Sequence, residues 1–126
     1  MELKLPPGLP QSIIARVIEF CNVNYDIRED PALGVKYPVL IGDEESLEKA
    51  KEYLKLITEL KLALRDIARL ARKHKIKAKV YAEDENIREL LKIIKNDIAN
   101  REFVEVVDEK IEGEVIEVLD KKLIVG

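Results

Sequence analysis

The chain reads as an α+β protein of the α/β class, with small mixed sheets, a long central helix and a strand–helix–strand–strand unit at the C-terminus. Three observations predict this. Short apolar runs bounded by Pro and Gly fill the first 42 residues. A single 3.6-residue apolar period then runs from Asp43 to about Lys75. After it, "IKAKVYA" alternates strictly, and a helical stripe and further alternating runs follow.

Taken in order, "MELKL" forms a short strand that Pro6, Pro7 and Gly8 stop. Pro10 opens a helix with Ile13, Ile14, Val17, Ile18 and Cys21 on one face. "NVNYDI" supplies a second strand, "REDPALGVKYP" a turn-rich connection and "PVLIG" a short buried strand. Asp43 caps the long helix, and Glu44 and Glu45 in its first turn suit the positive end of the dipole. Leu47, Ala50, Leu54, Ile57, Leu64, Ala68 and Ala71 hold its period, over more residues than an average helix has. In the next strand Ile76, Ala78, Val80 and Ala82 take one face, and Lys77, Lys79 and Tyr81 the other. Asp84 caps a helix striped by Ile87, Leu91, Ile94 and Ile98; "FVEVV" and two strands turning near Asp120–Lys121 complete the sheet.

At 126 residues this is one domain, 1–126, with a subdivision into halves 1–56 and 62–126. A chain this long buries roughly two-thirds of its unfolded surface, so no metal or disulfide is required to fold it. The lone Cys21 excludes an internal disulfide and fits a reducing compartment. "MELKLPPGLP" has no signal-peptide core and no run reaches membrane-spanning length, so a cytoplasmic, non-membrane protein is expected. Abundant Lys and Glu, one glutamine and three aliphatic hydroxyls (Ser12, Ser46, Thr58) make the composition of a thermophile protein.

That inventory leaves little for catalysis. His74 lies within a cationic run, and one histidine with one cysteine cannot build a zinc site. No GxGxxG or P-loop pattern occurs, so no cofactor and no metal are expected. The acidic pairs in "DEES" and "EDEN" each open a helix, where capping and dipole compensation explain them.

Charge is unevenly placed. Residues 61–79 hold eight cations against Asp66 alone, whereas the whole chain is −3. Lys61, Arg65, Arg69 and Arg72 follow four-, four- and three-residue steps and so form one stripe on the helix. Together with Lys77, Lys79 and Tyr81 on one strand face, they make a candidate nucleic-acid surface, with cations for phosphates and an aromatic for a base. The competing reading pairs Lys77 and Lys79 with Glu105 and Glu117 across the sheet.

Both halves carry family resemblances. Residues 62–125, with an Arg-rich helix, a strand, "DENIRELLKIIKNDI" and closing strands, resemble the C-terminal appendage of isoleucyl/valyl-type class I aminoacyl-tRNA synthetases. That resemblance implies contact with tRNA without chemistry. The same region resembles the strand–helix–strand unit of a peripheral-stalk protein of archaeal/vacuolar ATPases, without its long stalk helix. "ELKL", "PQSIIARVIEFC", "YPVLI" and "EESLEKAKEYL" resemble a glutathione-transferase N-terminal half, which is thioredoxin-like. This resemblance implies a cis Tyr37–Pro38 bond and ligand contacts from Ser12, Pro38, Glu45 and Ser46. It departs from that family in lacking the second helix, the fourth strand and a CxxC.

The expected function is therefore a non-catalytic binding module for tRNA, RNA or a tRNA-handling assembly. Its alternatives are a glutathione-transferase-like domain and a structural homo-oligomer, such as a homodimer through the long helix, without nucleic acid.

Overall fold

The computed structural model describes Met1–Gly126 and shows an α+β fold of three helices and two small sheets. The chain divides into two compact units, Met1–Lys55 and Leu56–Gly126.

In the first unit, β1 (Glu2–Lys4), β3 (Val35–Ile41) and β2 (Asn24–Asp30) lie in the order β1-β3-β2, all antiparallel. The stretch expected to be mostly turn is a hairpin instead. Arg28–Asp30 and Val35–Tyr37 pair with each other, and only Pro31–Gly34 turns. Asp30 explains the turn: its carboxylate accepts from the Ala32 and Leu33 amides, and Gly34 takes φ 66°. Helix α1 (Gln11–Cys21) buries Ile13, Ile14, Val17 and Cys21, the predicted face apart from Ile18. It ends at Asn22, which adopts the left-handed conformation that Asn tolerates better than other non-Gly residues. Val39 and Leu40 point to opposite faces of β3 and are both buried, so the sheet is covered on both sides there.

Helix α2 runs unbroken from Glu44 to Lys73. Glu44–Lys55 belong to the first unit and Leu56–Lys73 to the second. Its start is fixed by Asp43, whose carboxylate accepts from the Ser46 amide at 2.8 Å. That bond holds the Asp43 carboxyl below the usual carboxylate range. Its end is a Schellman motif: the Ile76 amide bonds to Ala71 and the Lys75 amide to Arg72, with Lys75 at φ 55°.

The second sheet is mixed. Strands β4 (Ala78–Ala82), β5 (Val104–Val106), β6 (Glu114–Val118) and β7 (Lys121–Val125) lie in the order β5-β4-β7-β6. β4 and β5 run parallel, joined through α3 (Glu85–Lys95), and the remaining pairs are antiparallel. Asp84 caps α3 by accepting from the Asn86 and Ile87 amides at 2.8 and 3.4 Å. Register puts Ala78, Val80, Ala82, Val104 and Leu123 on one sheet face, and all five are buried. The apolar stripes of α2 (Leu60, Leu64, Ala68, Ala71) and α3 (Ile87, Leu90, Leu91, Ile94) supply the cover. Cutting Leu64 or Leu90 back to Ala would cost about 2–5 kcal/mol.

One expectation fails at the strand's start. Ile76 is exposed because the Schellman motif holds it and the strand begins only at Ala78. The glutathione-transferase reading fails as well. No peptide bond is cis, so Tyr37–Pro38 is trans. In addition, β2 joins β3 by a direct hairpin rather than extending a parallel β1–β2 core. Ser12, Pro38, Glu45 and Ser46 therefore do not inherit that family's ligand roles.

Candidate nucleic-acid interface

The basic stripe occupies the exposed side of the second half of α2, and the loop after α3 crosses beside it. Two clamps hold this loop. The Lys61 ammonium bonds to the Asp97 carboxylate at 2.9 Å, and the Arg72 guanidinium donates to the Asn100 side-chain oxygen at 3.0 Å. Asn100 makes this approach from a left-handed backbone conformation, φ 60°, and its carbonyl accepts the Phe103 amide of a 3-10 turn, Arg101–Phe103. The Arg101 guanidinium ties the loop to the Asn96 carbonyl.

Between the clamps lies a notch of about 170 Å³, lined by Arg65, Asp66, Arg69, Ala99 and Asn100. That volume is smaller than the cavities that enclose cofactors or drug-sized ligands, which run from about 300 Å³ upward. It is large enough for a phosphate group. Arg65 has no hydrogen bond or ion pair with the rest of the chain. Arg69 meets Asp66 at 3.5 Å, but both side chains are about 70% exposed, and such a pair is easily exchanged for another anion. Arg72 is bonded to a neutral amide, which orients the guanidinium without cancelling its charge. Of the stripe, only Lys61 is closely ion-paired.

Lys77 and Lys79 are exposed and neither is ion-paired. Of the cross-strand neutralisation scheme, the Glu105 half holds in register and the Glu117 half fails for a topological reason. β7 separates β4 from β6, so Glu117 stands opposite Lys122 rather than Lys77. Glu105 does stand opposite Lys79 in register, without forming an ion pair.

Tyr81 does not serve as a base platform. Its alternation is as expected, yet the ring is buried and the Arg88 guanidinium lies 5.3 Å from its centroid. Arg88 in turn donates to the Asp108 carbonyl at 3.1 Å. Lys92 pins the Asp108 carboxylate at 2.7 Å, which holds that carboxyl below the usual range. No sequence signal marked this cover, because it comes from α3 and from the segment after β5. What sequence reasoning missed is the role of Asp97 and Asn100; an unusual Asn-Asp-x-x-Asn run after a helix was the available sign.

No group of three or more His, Cys, Asp or Glu side chains is placed to hold a metal, and no helix is long and apolar enough to cross a membrane.

The comparison with protein families matches residues 1–125 to the model described as the uncharacterized protein MJ0093 family. The chain belongs to that family. A relative described as uncharacterized protein MJ0093, from Methanocaldococcus jannaschii, is 63% identical over 127 residues, covering 99% of this chain and 89% of the relative. That source is an archaeal thermophile, in keeping with the Lys- and Glu-rich composition. No solved structure matches the chain.

Proposed function

We propose that this MJ0093-family protein is a non-catalytic RNA-binding module. The observation that carries the reading is the unspent charge at the end of α2. Arg65 is unpaired, Arg72 is held by a neutral amide, and Lys77 and Lys79 continue the positive surface, on a chain whose net charge is −3. A local cationic strip on an acidic protein favours polyanion contact at that strip and repels it elsewhere. The phosphate-sized notch between Arg65 and Arg69 adds a fixed register point. Within that class tRNA or a tRNA-handling assembly is the partner we propose, on the sequence resemblance of residues 62–125 alone, since no solved structure of a synthetase domain matches the chain. With Tyr81 covered, recognition rests on phosphates and shape rather than on base stacking.

Titration of labelled tRNA against the protein tests this. Five phosphate contacts, from Arg65, Arg69, Arg72, Lys77 and Lys79, give a log–log salt slope of roughly −3.5 on a single strand. Changing Arg65, Arg69 and Arg72 together to Glu abolishes binding. Tyr81→Phe leaves it unchanged. Absence of binding at low salt by the folded wild-type protein would overturn the reading.

A further inference from the structure

Beside the basic stripe, α2 carries a second line of residues with a different character. Glu59, Leu62, Asp66, Leu70 and Lys73 follow steps of three, four, four and three residues, so all five share one side of the helix. The spacing is palindromic about Asp66. The chemistry is self-complementary too: leucines sit at matching distances from the centre, and opposite charges sit at the two ends. Leu62 is 45% and Leu70 50% exposed, a large apolar surface for one helix face. They border a trough of about 480 Å³ completed by Ile116, Val118 and Leu119 of the β6–β7 hairpin.

Leu119 reinforces the point. It occupies the first position of a two-residue turn at φ 56°, where Gly is the favoured residue, and it is 48% exposed. A leucine there pays for both backbone strain and hydration of its side chain, with only about half of its surface covered within the chain to offset them.

We infer that this face of α2 is the interface of a two-fold homodimer, with the α2 helices of two copies packed antiparallel about Asp66. In that arrangement Leu62 of each copy meets Leu70 of the other, and Glu59 meets Lys73. Within one chain Glu59 and Lys73 lie about 21 Å apart along the helix and cannot meet. Neither has an ion-pair partner in the chain. The two Asp66 carboxylates approach the axis, but each already has Arg69 at 3.5 Å. Arg69 comes opposite Ala63 of the second copy, a small residue that leaves its guanidinium room to stay beside its own Asp66. The two-fold axis runs perpendicular to both helices, so it carries the stripe of Arg65, Arg69 and Arg72 to the same side of the pair. The dimer thus joins two cationic strips into one surface. The inference stands on self-complementarity and does not depend on RNA binding.

The experiment is sedimentation equilibrium on the full chain, freed of nucleic acid, with circular dichroism to verify folding. The wild type gives twice the monomer mass of 14.5 kDa. Glu59→Lys places Lys against Lys, Lys73→Glu places Glu against Glu, and each variant alone is a monomer. An equimolar mixture of the two restores both complementary contacts and returns the dimer mass. Leu62→Glu with Leu70→Glu gives a folded monomer that no charge partner rescues. A wild type that stays monomeric at its highest soluble concentration overturns the interface. So do single variants that dimerise as the wild type does, or a mixture that remains monomeric.

Discussion

Arg28 and Arg65 are the same side chain in opposite circumstances. In the first unit, Arg28 on β2 is held by Glu2 at 2.6 Å and by Asp26, and the charge is answered on the spot. In the second, Arg65 on α2 is answered by nothing. Helix ends differ in the same sense. The first unit closes α1 with Asn22, a residue suited to the left-handed conformation, while the second closes α2 with Lys75, a residue that is not. At these positions the first unit meets its charge and backbone demands within the chain, and the second leaves them open along one basic strip.

Glycine replacements give the largest effect and sharpen the contrast. A Cβ on Gly113 would fall 2.0 Å from the Val125 carbonyl oxygen, against backbone that cannot yield without breaking the β6–β7 pairing. Gly113→Ala is expected to cost more than about 3 kcal/mol in urea unfolding, or to prevent folding. On Gly42 in the first unit the Cβ would meet side chains rather than backbone, Val23 at 3.2 Å and the Ser46 Cβ at 3.6 Å. Gly42→Ala should stay within about 1 kcal/mol of wild type.

Next in size is Lys75→Gly. Removing the side chain from a left-handed position should raise stability by about 0.5–1 kcal/mol in thermal or urea unfolding. Asn22→Gly should gain less, since Asn already tolerates that conformation. Equal gains at both positions would dissolve the distinction between the two helix ends. If Lys75→Gly is more stable and yet binds RNA less well, the lysine is kept for its charge.

Acid titration separates the two units by a smaller margin. Hydrogen bonding from Arg28, then from the Ile27 amide, lowers the Asp26 carboxyl below its ordinary value. A carboxylate depressed in the folded state stabilises above its unfolded value, and that contribution is lost as pH falls through the folded one. Arg28→Ala should therefore lower stability slightly at neutral pH and leave it unchanged at the acid end, which flattens the acid limb; the change is small because these groups are exposed. Arg65→Ala should leave the acid limb as it was.

The smallest expected effect is chemical. Burial raises the Cys21 thiol above its usual range, with Lys49 opposing weakly. Native protein should react with a disulfide reagent much more slowly than the urea-unfolded chain, and equal rates would remove Cys21 from the core.

The elements themselves were legible because periodicity is a local property. The α1 and α3 faces, the capping of α2 by Asp43 and the alternation from Ala78 to Ala82 all follow from spacing. What depends on long-range pairing was not. Asp30 and Gly34 mark a turn, but nothing local says that Arg28–Asp30 will pair with Val35–Tyr37. The strand order that separates Glu117 from Lys77 is likewise a tertiary fact. In the candidate interface the cations of α2 were readable as a stripe. Their partners were not, because Asp97 lies 36 positions from Lys61 and Asn100 lies 28 from Arg72. The cover of Tyr81 was hidden for the same reason, since Arg88 reaches the ring from a different element.

The burial of Tyr81 has a spectroscopic consequence. The chain has no tryptophan and four tyrosines, so its near-ultraviolet signal is dominated by tyrosine. Tyr25, Tyr37 and Tyr53 belong to the first unit, and Tyr81 is the only one in the second. Fixed under a guanidinium in a packed site, that ring is placed in a rigid asymmetric environment of the kind near-ultraviolet dichroism detects. Subtracting the spectrum of Tyr81→Phe from that of the wild type isolates the second unit, and the remaining tyrosine signal belongs to the first. One protein and one conservative substitution thus provide separate optical reporters for the two units, so a melt can show whether they come apart together or in turn.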